Sequence, residues 1–356
     1  LLKPLISDLT NTEPAALLKM LLHGGVVMYQ QRIIIDGLQY CHWDREYFQM
    51  LKASGVTAVH ATIAYHENAR ETLTRFSEWN RRFEQNADLI RPVHCAQDVE
   101  LAKQEGKVGI FLGAQNCSPI DDEIGLIEIM RRQGLLIMQL TYNNQSLLAT
   151  GCYESQDTGI TRFGQQAIQE MNRVGMVIDM SHSAERSTLE AIDLSSRPIC
   201  ISHANPSFAR DALRNKSNAV IQALTARGGL IGFSLYPFHL PNGSQCTLND
   251  FCQMVATAAD KFGVEHLGIG SDLCLNQPQQ ILEWMRNGRW SKAMDYGEGS
   301  STNSGWPEAL PWFNGSAGME NIYHGLQRFG FSESEAGEVL GGNWLAFLEQ
   351  GLAPLS

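Results

Sequence analysis

No apolar run in the chain approaches the roughly 20 residues that cross a bilayer. No Cys-x-x-Cys pair, no GxxxxGKS/T loop and no GxGxxG after the first strand-like segment occurs. These absences remove a membrane-spanning helix, a thiolate zinc site and the commonest nucleotide cradles from consideration. Basic residues are also scarce: 27 Lys plus Arg stand against 38 Asp plus Glu, a formal charge of −11. That sign disfavours a broad contact with phosphate backbones, so no nucleic-acid partner is expected. The eight cysteines, at 41, 95, 117, 152, 200, 246, 252 and 274, follow no motif. In a chain this long they read as buried thiols; Cys246 and Cys252 are close enough in sequence to pair, but nothing requires it. The opening LLKPLISDLTNTEP has one Lys and no small-residue cleavage pattern. It is therefore not expected to be a signal peptide, and a cytoplasmic location is expected. A targeting segment removed ahead of it stays open.

What is present is an alternation of strand and helix patterns over nearly the whole length. With 44% hydrophobic and 18% charged residues, the chain can bury a substantial core. Near-continuous apolar runs at 31–37, 55–63, 108–115, 134–142, 175–182, 198–203, 229–236 and 266–272 read as strands covered on both faces. Between them lie helical patterns. The 160–174 segment puts Phe163, Ala167, Ile168 and Met171 on one face; 183–192 and 248–262 give two more. Ser332 with Glu335 makes a capping box for a helix expected to stop at Gly341-Gly342, and a further helix from Asn343 carries Trp344, Phe347 and Leu348. Eight parallel strands fit one distorted (β/α)8 TIM barrel, an α/β domain over 1–356, better than two open sheets meeting near 145–160. The 274–316 stretch reads as a long loop excursion, with Trp306–Phe313 as a candidate lid or dimer contact.

The strand runs end in polar groups: Asp36, Gln115-Asn116, Tyr142-Asn143-Asn144, His182, His203 and Asp272. Barrel closure would gather them around one opening. Two neutral imidazoles, His182 and His203, suit a divalent metal ion, and Asp272 could complete the set or serve as a general base. The competing reading makes the histidines hydrogen-bonded residues at the top of the core. Arg210 and Arg214 could clamp an anionic substrate. Tyr142 could hydrogen-bond substrate or pack beneath a metal.

Taken together, IIIDG at 33–37, the 123–144 segment, GMVIDMSHS at 175–183, PICISHANP at 198–206, LRNKS at 213–217, GIGSD at 268–272 and LGGNWLAFL at 340–348 resemble the membrane (renal) dipeptidase family, peptidase family M19. The resemblance implies a metallo-dependent hydrolase-like barrel, a binuclear zinc centre and cleavage of dipeptides or related amides. It assigns His182 and His203 to one metal, Asp272 to the catalytic carboxylate and Arg214 to a substrate carboxylate. It also exposes departures. The family's first-strand His and Asp are replaced by Leu38 and Tyr40, its bridging Glu by Gln115, and a further site histidine by Tyr142. Leu cannot coordinate, and neutral Gln cannot supply a bridging charge. The family's binuclear site is thus expected to be reduced to one divalent ion, zinc first, with iron or manganese as alternatives. His182, His203 and Gln115 would be the ligands, and Tyr142, Asn143 and Arg214 would contact substrate. His42 and Asp44, just beyond the altered motif and offset by four positions from Leu38 and Tyr40, could compensate for the missing pair.

The expected function is hydrolysis of a dipeptide or related small amide. Two alternatives remain: a mononuclear metalloenzyme of different chemistry acting on a carboxylate-bearing substrate, and an inactive small-molecule binding or assembly barrel. A homodimer is left open.

Overall fold

A computed structural model describes residues 32–289 and 307–352. Nine strands run β1 (Ile35–Gln39), β2 (Ala58–Ala64), β3 (Ile90–Pro92), β4 (Val108–Ala114), β5 (Leu135–Gln139), β6 (Val177–Asp179), β7 (Cys200–Ile201), β8 (Leu230–Phe233) and β9 (Leu267–Ile269). Eight of them form a closed parallel ring in the order β1-β2-β4-β5-β6-β7-β8-β9, with β9 returning to β1. Each expected strand contributes one member. The alternative of two open sheets fails because β5 pairs directly with β6, Ile137 against Val177, across the proposed boundary. The extra strand β3 lies beside the first residues of β4 and stays outside the ring. Its three residues are too few to show a period.

The connecting helices follow from local signals. Thr161 accepts from the Gly164 amide to start Arg162–Val174, and Gly175 ends that helix at φ 69°. Ser332 and Glu335 do form the capping box. Gly341-Gly342, however, does not stop the chain: Glu333–Gly337 passes through a π turn at Glu338–Gly342 into Asn343–Gly351. The reason is packing. A Cβ on Gly341 would lie 2.4 Å from the Ile33 carbonyl oxygen, so this glycine permits close approach to β1 and caps nothing.

That last helix closes the amino-terminal mouth of the barrel. Trp344 is fully buried among Ile35, Ala58, Leu136, Val177 and Leu230, and its indole donates to the Ile269 carbonyl at 2.9 Å. A Cβ at Gly37 or Gly268 would collide with the Trp344 ring, at 2.2 and 2.6 Å. With this end filled, access is left to the carboxyl end.

The excursion carries a helix at Gln279–Asn287. Trp306 lies outside the described residues, but Trp312 and Phe313 correct the lid reading. Phe313 is buried in the main core and the Trp312 indole donates to the Cys246 carbonyl at 2.8 Å. All eight cysteines are free thiols. Among the described residues no helix is long and apolar enough to cross a membrane.

Removing the indole leaves a large void at the barrel floor. Trp344→Ala is expected to cost about 3–5 kcal/mol in urea unfolding; a loss under about 1 kcal/mol would show that the floor is not held by this ring.

Candidate active site

Two fully buried carboxylates organise the carboxyl ends of the strands. Asp179, ending β6, accepts from the amide and hydroxyl of Ser181, the amide and hydroxyl of Ser202 and the side chain of Gln139, at 2.5–3.0 Å. Asp36 on β1 accepts from the amide and hydroxyl of Ser271, the Leu38 amide and the Gln39 side chain, at 2.5–3.3 Å. Burial pushes the Asp36 carboxyl up to about 6, and its four donors oppose that rise. Each carboxylate thus fixes a serine on a neighbouring strand end, and the next residue along is His203 or Asp272.

The imidazoles are oriented through this framework. The one proton on the Ser202 hydroxyl goes to Asp179, so His203 Nδ1, 2.7 Å away, donates to it. His182 Nδ1 donates to Asn143 Oδ1 at 2.6 Å. Both Nε2 atoms therefore carry lone pairs, and they face each other at 3.0 Å. Gln115 donates its amide to Thr62, which turns Oε1 toward His182 Nε2 at 3.1 Å. Burial, and then the Arg214 charge, hold both histidines well below the usual imidazole range, so both are neutral. His182 Nε2 thus has His203 Nε2 and Gln115 Oε1 within 3.1 Å and the Arg214 guanidinium at 3.5 Å.

Leu38 and Tyr40 are buried and form a compact cluster with Tyr65, Tyr142 and Met285. His42 and Asp44 do not compensate: both side chains are about half exposed, and Asp44 caps the Arg45–Ala53 helix. Among the described residues no group of three or more His, Cys, Asp or Glu side chains could hold a metal ion.

Beside His182 lies a cavity of about 50 Å³ whose wall includes Tyr142, Asn143, His182, Gln115, Arg214 and Asp272. His203 sits behind it, fully buried. Arg214, also buried, donates to the Ser181 and His203 carbonyls and places Nη2 3.5 Å from His182 Nε2. Arg210 is not in this wall; it donates to the Leu240 carbonyl at 3.3 Å. Asp272 has φ 59° and Asn143 φ 56°, so two site residues occupy the left-handed region. Burial pushes the Asp272 carboxyl up to about 7. Tyr142 stacks on His182 with ring centroids 4.2 Å apart. Tyr142 also lines a larger open groove of about 1110 Å³.

Sequence reasoning missed several members of this wall. Tyr153, Tyr236 and His239 lie in loops after the strands, and Arg286 and Met285 on the excursion helix. The only signal for them was that they follow strand ends. Lys216 was also missed: it is buried and donates to the Met180 and Ser183 carbonyls at 2.9 and 2.7 Å, pinning the turn that carries His182.

The closed parallel barrel with polar groups at its carboxyl mouth matches a (β/α)8 fold of the metallohydrolase-like kind. Residues 42–285, well over half of the chain, match the membrane dipeptidase family, peptidase family M19, and the chain belongs to that family as a member with an altered metal site. It is 30% identical to an amidohydrolase from Pseudomonas aeruginosa, with a TM-score of 0.86 over 92% of this chain and 98% of that one. A metallo peptidase from Rhodobacter sphaeroides, solved with a phosphinate mimic of a dipeptide, shares the fold at a TM-score of 0.73 and 14% identity, over 90% of this chain and all (100%) of that one. The dipeptidase tcpJ of Claviceps purpurea is 26% identical over 212 residues, 58% of this chain and 50% of its own. The chain spans about half the length of the dipeptidases it matches in sequence.

Removing the Asp179 carboxylate would leave five buried donors unsatisfied. Asp179→Ala is expected to lower stability by about 3 kcal/mol or more in urea unfolding, against about 1 kcal/mol for Ser202→Ala; equal, small losses would contradict the framework role.

Proposed function

We propose that the chain is a hydrolase of a small amide bearing a free carboxylate, working with one divalent metal ion, zinc in the first instance, held by His182, His203 and Gln115. The observation that supports this most is the convergence of His182 Nε2, His203 Nε2 and Gln115 Oε1 at 3.0–3.1 Å beside a cavity. A divalent ion there would supply Lewis acidity to a carbonyl and to water.

The chain's own residues would do the rest. Arg214, fixed by two backbone carbonyls, would hold the substrate carboxylate and set the scissile bond beside the histidines. Asp272 would take a proton from the attacking water and return it to the departing amine, so that one water is consumed and an acid and an amine are released. Its raised pKa suits that exchange near neutrality. Asn143 would keep His182 in the tautomer with an open Nε2, and Tyr142 would shield that ring from solvent.

One observation favours a second reading. The Arg214 guanidinium already stands 3.5 Å from His182 Nε2, so a positive charge borders the histidine pair. A small-molecule binding barrel without metal would follow from that arrangement.

Element-resolved metal analysis separates the two: the hydrolase reading expects one ion per chain, lost in His203→Ala, while a metal-free protein with ligand affinity unchanged by chelation supports the second. For turnover of dipeptides and N-acyl amino acids, Asp272→Asn is expected to lower kcat about 100-fold or more. Because Asp272 must be ionised to act, the rate should rise with pH through about 7 and fall away below it. A profile flat from pH 5 to 8 would remove Asp272 from the reaction.

A further inference from the structure

We propose that His239 is a further catalytic residue, whose ring donates a hydrogen bond from Nε2 to the carbonyl oxygen of the amide being cleaved. Its part in turnover rests on the amide-hydrolase reading. The placing of its proton and the binding of a carbonyl do not, and the test below reads the two separately.

Among the imidazoles of the mouth, His239 differs in having an unpaired ring nitrogen. It is 3% exposed and lines the same cavity as His182, Arg214 and Asp272. Its Nδ1 is sealed from solvent and has no hydrogen-bond partner among the described residues. In His182 and His203 the same atom is bonded to Asn143 and to Ser202. A buried polar nitrogen left unpaired is costly, so it calls for a compensating use. It also fixes the proton. A buried N–H with no acceptor is worse tolerated than a bare lone pair, so Nδ1 is bare and Nε2 carries the hydrogen. Burial, and then the charges of Arg214, Arg210 and Lys216, hold the imidazole well below its usual range, so the ring is neutral. Nε2 is thus the ring nitrogen left for the cavity, and what it offers is a donor.

The backbone holds this ring in register with the rest of the site. His239 ends a short 3-10 turn, Pro237–His239, that follows β8. Its carbonyl accepts from Asn205 Nδ2 at 3.2 Å and from Asn215 Nδ2 at 2.9 Å, and both asparagines are buried. Asn205 lies two residues after His203, and Asn215 directly follows Arg214. One clamp therefore ties His239 to a proposed metal ligand and to the proposed carboxylate anchor. The cavity is small: its roughly 50 Å³, at about 10–15 Å³ per water, holds about four waters. That is room for a reacting amide group and little else. A carbonyl oxygen there gains negative charge as water adds to its carbon, and a neutral N–H already in place stabilises that charge without reorganising. The ring keeps its own proton throughout; the proton from water passes to Asp272 and on to the departing amine.

The first measurement is nuclear magnetic resonance on the full chain, isotope-labelled at its histidine rings. The His239 ring should carry its single proton on Nε2, and its signals should shift on titration with acetamide, a bare amide of the size the cavity admits. The second is turnover of dipeptides and N-acyl amino acids. His239→Phe should lower kcat about 100-fold, the scale of one lost oxyanion donor, with KM within about threefold. His239→Gln, which keeps an N–H on a side chain of similar reach, should retain about tenfold more activity than His239→Phe. If either variant unfolds, the ring of the unaltered chain still decides through its proton and its response to acetamide. The proposal is overturned if the proton lies on Nδ1, if acetamide leaves the ring signals unmoved, or if folded His239→Phe turns over substrate within about twofold of the unaltered chain. An unaltered chain that turns nothing over, but whose Nε2–H responds to acetamide, overturns the hydrolase reading and upholds the donor.

Discussion

The site depends on a carboxylate that touches no substrate. Asp179 sits at the end of β6 with no exposed surface and takes five hydrogen bonds from three successive strand ends. An anion buried this deeply is tolerated only because every lone-pair direction is met. The bonds it accepts decide which way the Ser202 proton points, hence which nitrogen of His203 is protonated, and hence that Nε2 is open toward His182. Asp36 does the equivalent for Ser271 and Asp272 on the far side of the ring. The barrel supplies proximity, and these two carboxylates supply orientation.

Against that framework, the altered side of the mouth has a coherent physical form. Leu38, Tyr40, Tyr65, Tyr142 and Met285 pack as a small apolar unit between the barrel and the excursion helix. Tyr40 meets Tyr65 edge-on at 6.4 Å, and Tyr65 meets Tyr142 edge-on at 6.0 Å, the arrangement that ring quadrupoles favour. An unpaired carboxylate among these rings would be costly, and Gln115, which is neutral and bonded to Thr62, is compatible with them. The residues at 38, 40, 115 and 142 are therefore mutually consistent: none carries a negative charge, and three of them pack in the same cluster.

The fold was legible because its signal is periodic and repeated. Eight buried strands wrote eight apolar runs, and each lies in the ring. β3 escaped because three residues carry no period, and Gly341-Gly342 misled because a glycine chosen for close approach looks the same in sequence as one chosen to end a helix. At the site, strand-end residues could be named because the architecture says where strand ends go. His42 and Asp44 could not be placed that way: their residue types suit a metal, but one turn past β1 the chain has already reached the surface and begun a helix. Tyr153, Tyr236 and Arg286 lie in connections of irregular length, where no period tells which side chain turns inward.

The retained and altered halves of the mouth are linked through one ring. Tyr142 stacks on His182 and also closes the aromatic cluster that carries Met285. Its position matters because the polar contacts of His182 lie in the ring plane, at Nδ1 and Nε2, and its flat face needs cover to stay dry and neutral. A phenol there gives that cover without adding a competing nitrogen ligand, which a histidine would do. A tyrosine at this point therefore offers no imidazole nitrogen to the mouth, while its ring both covers His182 and closes the aromatic cluster.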